Sequence, residues 1–369
     1  MRKVFLVTER RADYSRFKPI LELIKNDPLL DYDLVVTGLH LKEENGLTIN
    51  EIKNDGFKIF STFEMFKENK DSGGAMVRSL ATCLEKITYA LEESKPDLIL
   101  SGFDIAANMS VTIAGAHMNI PVAHIQGGEV TGTIDESIRH AMSKFSHYHF
   151  AANEDAKTRL IKMGEKPETV FNVGCPSIDA LLEVKYNKEA YKKYGLNKNY
   201  YLMIQHPVTS EINDSYNQIT QTLKAIKETN IEVLIILPNN DAGYLKIVEK
   251  IESSNIKYVK TLAIEEYTSL LKYSQGLIGN SSSGIHETSL FNIPTINIGT
   301  RQQGRLSSNN VINVGYNKNE IINAIELTKS LQNLEFDNLY GDGNSSIQIV
   351  DLLKKIDISP SIIQKQITY

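Results

Sequence analysis

Short apolar runs alternate with amphipathic stretches along the first half of the chain. The apolar runs predict buried strands at residues 4–8, 34–37, 98–100 and 122–125. Apolar positions spaced by three or four predict helices over residues 75–94 and 106–117, and Ser15 is expected to cap a helix that ends at Ile24. Apolar strands separated by helices are typical of a parallel sheet with helices on both faces.

A second series of the same kind begins after residues 170–176, where the pattern pauses. Its predicted strands are residues 201–204, 233–236, 258–259, 276–278 and 295–298. Its helical patterns cover residues 219–228, 244–254 and 265–273, and a last one over 345–356 has no strand after it. The pattern therefore predicts an α/β protein with two Rossmann-like domains, residues 1–172 and 173–349. Ligands of such folds bind at the carboxyl ends of the strands, so we expect a site in the cleft between the domains.

Charge and cysteine content narrow the class of protein. The 369 residues carry a formal net charge of -5 and the basic residues are scattered, so nucleic acid is not an expected partner. No apolar stretch approaches the length of a membrane span, so no membrane partner is expected. Cys83 and Cys175 are too few for a disulfide framework and too far apart for a zinc site. These features predict a soluble, cytoplasmic protein.

Polar residues follow two of the predicted strands in the first series. Arg11 could bind phosphate with its guanidinium fork, helped by N–H groups at the start of the next helix. The alternative is a solvated turn in which Asp13 or Ser15 caps that helix. Asp104 follows the strand at 98–100 inside an apolar stretch, where a carboxylate is costly unless it is paired or functional. Capping of the next helix by Asp104 is the competing interpretation.

Residues 124–149 are the stretch richest in candidate groups. Gln126 and Glu129 flank two glycines directly after a strand, and glycines permit close approach of the backbone to a ligand. Asp135 and Arg139 are four residues apart and share one face of a predicted helix, which also allows them simply to pair. Carboxylates beside a cation and imidazoles suit abstraction of a carbon-bound proton, because one group removes a proton and another returns one. The histidine spacing matches no zinc site.

Three predicted strands of the second series end in polar residues. His206 follows the strand at 201–204, Asn239 follows 233–236, and Arg301 follows 295–298. Because the carboxyl ends of parallel strands meet at one edge of a sheet, we expect these side chains to face the same cleft.

A loop of small residues, Gly-Asn-Ser-Ser-Ser-Gly, joins the strand at 276–278 to a helix expected over 285–291. Its Ser281 and Ser282 could offer hydroxyl and N–H groups to a diphosphate, although an ordinary capped turn is the alternative. The loop is neither a Walker A motif nor a dinucleotide fingerprint. Glu287, on the same helix, could accept the two hydroxyls of a ribose.

Taken together, these motifs resemble the hydrolysing UDP-N-acetylglucosamine 2-epimerases of sialic acid biosynthesis. The similarity runs nearly from end to end of the chain. Its motifs are RADYS at 11–15, TGLHL at 37–41, GGEVTGTIDESIRHAMSK at 127–144, QHPVT at 205–209, GNSSSG at 279–284 and INIGTRQ at 296–302. The resemblance implies a GT-B type fold, in which the two Rossmann-like domains face a cleft and a C-terminal segment, residues 350–369 here, returns to the first domain.

The resemblance also implies the site and the reaction. The implied catalytic residues are Asp104, Glu129, Asp135, Arg139 and His206. The implied nucleotide- and sugar-binding residues are Arg11, Ser15, His40, Gln126, Asn239, Ser281, Ser282, Glu287 and Arg301. The implied substrate is a UDP- or GDP-linked 2-acetamido sugar, which loses its nucleoside diphosphate to give a glycal and then adds water with inversion at carbon 2. No cofactor and no metal is implied, and a homodimer or homotetramer is expected.

Two departures from the family pattern concern the sugar side. Many relatives carry Gly-Asp-Arg where this chain has Phe103, Asp104 and Ile105, so one arginine is missing. Gln126 stands where some relatives carry a glutamate, so Glu129 is expected to take over its acid–base role. Both changes suggest a less hydroxylated sugar, such as the 2,4-diacetamido-2,4,6-trideoxyglucose used in legionaminic acid synthesis.

Three rival functions remain open from the sequence. The first is a non-hydrolysing epimerase, against which the RADYS segment argues, because that group begins with a GTRPE-like motif. The second is a GT-B glycosyltransferase, which would require an acceptor. The third is a nucleotide-sugar sensor without activity, against which the intact Asp104, Glu129 and Asp135 argue.

Overall fold

The protein contains two parallel β-sheets in a computed structural model that describes residues 1–68, 71–332 and 334–369. The first sheet has the order β3-β2-β1-β4-β5-β6-β7 and the second has the order β10-β9-β8-β11-β12-β13. The strands of the first sheet are β1 (Arg2–Thr8), β2 (Leu30–Thr37), β3 (Ile59–Phe63), β4 (Leu98–Gly102), β5 (Val122–Ile125), β6 (Tyr148–Ala151) and β7 (Val170–Asn172). The strands of the second are β8 (Tyr200–Ile204), β9 (Glu232–Ile236), β10 (Tyr258–Val259), β11 (Leu277–Gly279), β12 (Thr295–Ile298) and β13 (Val311–Val314).

Helices connect successive strands and cover both sheets. They are α1 (Arg11–Lys25), α2 (Ile49–Asn54), α3 (Gly73–Ser94), α4 (Ala106–His117), α5 (Ile134–Phe145), α6 (Glu154–Lys162), α7 (Pro176–Leu182), α8 (Ala190–Lys193), α9 (Ser215–Thr229), α10 (Tyr244–Glu252), α11 (Ile264–Lys272), α12 (Ser283–His286), α13 (Lys318–Thr328) and α14 (Ser345–Lys355). Within the described ranges, no helix combines the length and apolar character needed to cross a bilayer.

The central strands are apolar because helices bury both faces of each sheet. Every residue of β4, β5 and β8 is buried, which explains the continuous apolar runs. The strands β3 and β13 lie at sheet edges and are only partly buried, so the apolar pattern does not predict them. The α/β class with two doubly wound sheets is confirmed.

Helix α1 begins earlier than the sequence predicts. It starts at Arg11, and the carboxylate of Asp13 accepts hydrogen bonds from the backbone N–H groups of Glu9 and Arg10, both at 2.8 Å. The prediction that Ser15 caps this helix is wrong, because Ser15 lies inside it and donates to the carbonyl of Ala12 at 3.0 Å. The N-cap residue is Arg10, and Asp13, inside the first turn, completes a capping box with it.

Each sheet reverses its strand order at one point, and these points position the site. In the first sheet β1 lies beside β4, and in the second β8 lies beside β11. The loops that leave these neighbouring strands diverge to opposite faces of the sheet and leave a crevice for a ligand. Loops of the two sheets meet directly, since the N–H of Gly132 donates to the carbonyl of Arg301 at 3.0 Å.

The last helix returns to the first sheet. Apolar residues of α14, including Ile349 and Leu353, join the same core as α1 and β1. Arg2 of β1 also donates to the carbonyl of Leu353. The predicted return of the C-terminal segment is confirmed, and the domain limits 1–172 and 173–349 stay predictions.

Candidate active site

Two adjoining cavities lie between the sheets at the carboxyl ends of their strands. The larger has a volume of about 620 Å³ and the smaller about 50 Å³. Arg16 and Ser282 line both, so a ligand in one cavity can extend into the other.

The larger cavity collects most of the predicted nucleotide-binding residues. Those that line it are Arg11, Ser15, Asn239, Ser281, Ser282 and Glu287. Arg11 reaches across the cleft, since its guanidinium pairs with Glu51 of α2 and donates to Thr261 Oγ1 at 2.8 Å. Both domains therefore contribute polar side chains to one wall of this cavity.

The serine-rich loop enters a much shorter helix than the sequence predicts. The expected helix over 285–291 is split into α12 and a single 3₁₀ turn, Thr288–Phe291. Ser281 Oγ accepts the N–H of Ser283 at 3.3 Å, as in the capped-turn interpretation. Glu287 faces the cavity and accepts a hydrogen bond from Ser283 Oγ at 2.5 Å. The hydroxyls of Ser281 and Ser282 and the carboxylate of Glu287 line the cavity. The helix that follows the loop, α12, has only four residues.

The smaller cavity collects the predicted sugar-side residues. Those that line it are Asp104, Gln126, Glu129, Asp135 and Arg139, and it also contains Ser282 and Arg301, which were predicted to bind the nucleotide. Further residues of this cavity were not predicted from the sequence, namely Arg16, Thr131, His286 and Arg305. Arg305 lies four residues after Arg301, and His286 directly precedes Glu287. This closeness in sequence to predicted site residues is the feature that could have identified them.

Asp104 is held by an arginine and does not cap a helix. Its carboxylate pairs with Arg139 of α5, while Ile105 is the N-cap residue of α4 and makes no side-chain cap. The N–H of Ala107 in the first turn of α4 donates instead to Glu9 Oε2 at 3.0 Å. Burial alone would raise the pKa of Asp104, but the guanidinium groups nearby, above all that of Arg139, lower it. The capping interpretation of Asp104 is therefore wrong.

Glu129 joins the two domains at the floor of the smaller cavity. His286 Nε2 lies 3.0 Å and Arg305 Nε 3.1 Å from its Oε2 atom, and Gln126 Nε2 donates to Oε1 at 3.2 Å. Arg139 donates to the backbone carbonyl of Glu129 at 2.9 Å. Burial opposes ionisation, but these partners hold the pKa of Glu129 well below its usual range.

Asp135 differs from the other two carboxylates because its cationic partner is distant. Arg301 Nη2 lies 3.6 Å from Asp135 Oδ2. The backbone N–H of Asp135 donates to Oγ1 of Thr133, the N-cap residue of α5, at 3.2 Å. Burial and the nearby charge of Asp104 raise the pKa of Asp135 to about 6, while Arg301 opposes the rise. The predicted pairing of Asp135 with Arg139 at the helix start is not observed, since Arg139 pairs with Asp104.

Arg16 supplies a guanidinium beside the position where the family motif leads us to expect one. Its guanidinium lies 4.9 Å from the ring centre of Phe103 and donates to Gln126 Oε1 at 3.1 Å. The backbone of Phe103 is left-handed, with φ of 68°, so the strand turns sharply as it enters the site. The replacement by Phe103 and Ile105 therefore does not leave the cavity without arginines.

Two predicted histidines are not among the residues that line either cavity. His40 is fully buried, with Nε2 3.0 Å from Thr8 Oγ1 and Nδ1 2.7 Å from Thr48 Oγ1, and burial lowers its pKa to about 3. Both ring nitrogens of His40 are used inside the core, and its contact with the sugar stays a prediction. His206 accepts the N–H of Asn239 at Nδ1 over 3.1 Å, and burial lowers its pKa. It is therefore a neutral ring that fixes the Asn239 loop.

Comparison with known proteins assigns the family. The profile of the UDP-N-acetylglucosamine 2-epimerase family matches residues 22–354. The chain is 36% identical over 373 residues to a Legionella pneumophila protein named UDP-N,N'-diacetylbacillosamine 2-epimerase (hydrolyzing), with 99% of both chains covered. It is 33% identical over 351 residues to the UDP-N-acetylglucosamine 2-epimerase of Neisseria meningitidis, with 94% of this chain and 92% of the relative covered.

A solved structure supports the fold. The Methanocaldococcus jannaschii UDP-GlcNAc 2-epimerase, crystallised with UDP-GlcNAc and UDP, matches with a TM-score of 0.82 at 19% identity and covers 95% of this chain and 99% of that one. This likeness confirms the GT-B type arrangement of the two domains. By its sequence and by its fold, the chain belongs to the UDP-N-acetylglucosamine 2-epimerase family and is an enzyme of the hydrolysing type.

Proposed function

We propose that this enzyme cleaves a nucleotide-linked 2-acetamido sugar into a nucleoside diphosphate and the free, manno-configured sugar. The observation that carries the proposal is the junction of the two cavities at Arg16 and Ser282. One cavity offers hydroxyls and Arg11 for a diphosphate, and the other offers three carboxylates of different basicity for proton transfer. A nucleotide sugar would place its anomeric carbon at that junction.

We assign the larger cavity to the nucleoside diphosphate. Ser281 and Ser282 would donate to phosphate oxygens, Arg11 would neutralise their charge, and Glu287 would accept the ribose hydroxyls. Ser15 and Asn239 line the same cavity and complete the polar wall. Stabilisation of the departing diphosphate lowers the barrier to breaking its bond to the sugar.

We assign the base to Asp135. It would remove the proton on carbon 2 while the bond from carbon 1 to the diphosphate breaks, and the electron pair forms the double bond of the glycal. A base works best when its pKa lies near the operating pH, which fits Asp135 better than the ion-paired Asp104 or Glu129.

Water would complete the reaction. Its hydroxyl adds to carbon 1 and a proton adds to carbon 2 on the face opposite the one that was deprotonated, which inverts the 2-acetamido group. Arg139 and Arg301 would hold Asp104 and Asp135 in place during both steps. The cavity of about 50 Å³ is narrow, so the cleft must widen to admit the sugar ring.

For the sugar we propose a 2,4-diacetamido-2,4,6-trideoxy hexose, as in nonulosonic acid synthesis of the legionaminic type. Phe103 presents an apolar ring to the sugar-side cavity, which suits a 6-deoxy sugar. The name of the Legionella relative agrees with this choice, whereas that of the Neisseria relative favours UDP-N-acetylglucosamine. Uridine or guanosine as the base, a homodimer or homotetramer, and a cytoplasmic location stay predictions.

The test is proton NMR in deuterated water with UDP-N-acetylglucosamine and with the UDP- and GDP-linked diacetamido sugars. The expected product is a free manno-configured sugar with deuterium at carbon 2, formed fastest from a diacetamido substrate. Faster turnover of UDP-N-acetylglucosamine would refute the choice of sugar and leave the proposed reaction intact. A product still bound to nucleotide would indicate the non-hydrolysing reaction, and no turnover would favour a glycosyltransferase or a sensor.

A further inference from the structure

The last residues of the chain lie against the end of the first sheet opposite the candidate site. The carbonyl of Ile363 is 3.3 Å from His147 Nε2, and His147 Nδ1 accepts the N–H of Val122 at the start of β5. Thr368 donates to the carbonyl of Gly164 at 3.3 Å. This C-terminal strap, residues 359–369, therefore contacts the segments that precede β6 and β7.

Within the strap, Lys365 contacts the end of helix α5. Its ammonium donates to the carbonyls of Ser143, Lys144 and Ser146 at 3.1, 3.2 and 2.5 Å. The last carbonyls of a helix have no partner inside it and carry partial negative charge. One ammonium from the strap thus satisfies the C-terminal end of α5.

A buried carboxylate fixes the position of that ammonium. Glu165 is 1% exposed and lies 2.6 Å from Lys365 Nζ, 2.8 Å from Lys144 Nζ and 2.9 Å from His149 Nε2. His149 belongs to β6, so the cluster is anchored in the sheet. A buried charge pair with these additional hydrogen bonds holds its members in one geometry.

Helix α5 is also the element that carries the reacting groups. Asp135 lies in its first turn and Arg139 one turn later. A helix transmits an axial shift along its length because its backbone hydrogen bonds keep the rise per residue fixed. The position of its C-terminal end therefore affects the position of Asp135, whose distance to Arg301 is 3.6 Å.

We propose that Lys365 is a positioning residue for catalysis. Through its contacts with the end of α5 and with Glu165, it sets the axial position of the helix and so the geometry of Asp135 and Arg139 in the sugar-side cavity. The kinetic part of this inference rests on the proposed function, and the structural part does not.

The test compares Lys365→Met, Lys365→Arg and Lys354→Ala in the full chain. Met keeps the apolar stem and removes the charge, so kcat is expected to fall roughly tenfold while KM stays within about twofold. Arg can donate to the same carbonyls and is expected to restore most of kcat. Lys354 pairs with Asp27 away from α5, and its substitution is the matched control, with kcat expected to stay unchanged.

Hydrogen exchange of residues 134–145 gives a readout independent of activity. Faster exchange in Lys365→Met, with wild-type rates in Lys354→Ala, is the expected result. Unchanged exchange and unchanged kcat in Lys365→Met at a temperature where it is folded would overturn the proposal, even if its melting temperature were lower. If the wild type turned over no nucleotide sugar, the proposed function would fail while the exchange result still decided the structural role.

Discussion

The three carboxylates of the sugar-side cavity have different surroundings, and these separate their roles. Asp104 pairs with Arg139, and Glu129 pairs with His286 and Arg305, whereas the cationic partner of Asp135 among the described residues is the more distant Arg301. A strong cationic partner keeps a carboxylate ionised and makes it a weak base. Asp135 is therefore the group best suited to exchange a proton near neutral pH.

Asp135→Asn is expected to lower kcat by roughly a hundredfold or more, because a positioned base contributes that much. In the wild type, kcat/KM is expected to fall as the pH drops through about 6, since protonated Asp135 cannot act as the base. Steady-state kinetics between pH 5 and 8 measure this limb. UDP affinity is expected to be unchanged in the variant, and a kcat within threefold of wild type would rule out Asp135 as the base.

Glu129→Gln is expected to destabilise the protein by about 3–5 kcal/mol, because it leaves the buried guanidinium of Arg305 without its counter-charge. Chemical denaturation measures the change in the free energy of unfolding. His286→Gln is the matched control, since Glu129 then keeps Arg305 and the loss should be smaller. Equal losses in both variants would contradict a central role for the carboxylate.

At the scale of elements, the loop before α5 depends on a glycine. A Cβ atom on Gly132 would lie 1.9 Å from the carbonyl oxygen of Thr300, so the two domains approach closely only because this side chain is absent. The same contact brings Arg301 toward Asp135. The sequence shows the glycine but not the opposing loop.

Gly132→Ala is expected to push the loop before α5 away from Thr300. The free energy of unfolding should fall by about 1–3 kcal/mol, which is typical of overpacking. The kcat should fall as well, because the substitution moves Arg301 away from Asp135. Thermal unfolding and steady-state kinetics measure the two effects. Gly73→Ala at the start of α3 is the control, because a Cβ there has no heavy atom within 4 Å. A similar, small effect in both variants would contradict the close approach.

The periodicity of the sequence predicted most inner strands and, among the described edge strands, β10 alone. Helix α4 and strands β5, β10 and β12 have their expected bounds. The prediction that Ser15 caps α1 is wrong because the carboxylate of Asp13, two residues earlier, already accepts the backbone N–H groups of Glu9 and Arg10. Edge strands such as β3 bury little apolar surface, so their pattern is weak. Local sequence cannot report the partners of Glu129, since His286 and Arg305 are more than 150 residues away.

At the scale of the whole molecule, buried carboxylates connect separate parts of the chain. Glu129 joins the two domains, and Glu165 joins the C-terminal strap to the first sheet. Both must stay ionised to keep their partners. The tertiary structure should therefore depend on pH through these groups more than through the exposed charges.

Glu165 provides the test of this dependence. Burial alone would raise its pKa, but hydrogen bonds from His149, Lys144 and Lys365 lower it to about 2. A depressed pKa stabilises the folded state fully above the ordinary glutamate value of 4.5, and this stabilisation is lost as the pH falls toward about 2. The free energy of unfolding of the wild type should thus fall by about 1.4 kcal/mol per pH unit below 4.5 from this group alone.

Glu165→Gln is expected to be less stable than the wild type at pH 7, because Lys365 and Lys144 lose their buried counter-charge. The gap should narrow as the pH is lowered from 5 to 3.5, because Glu165 takes up a proton in the unfolded wild type, near pH 4.5, while the folded carboxylate stays ionised. Urea denaturation at several pH values measures the gap, and Glu154→Gln, at an exposed position paired 4.0 Å from Lys157, is the control. A constant gap across this range would mean that folding does not lower the pKa of Glu165, and the strap would then be held by its hydrogen bonds and packing without a contribution from the charge.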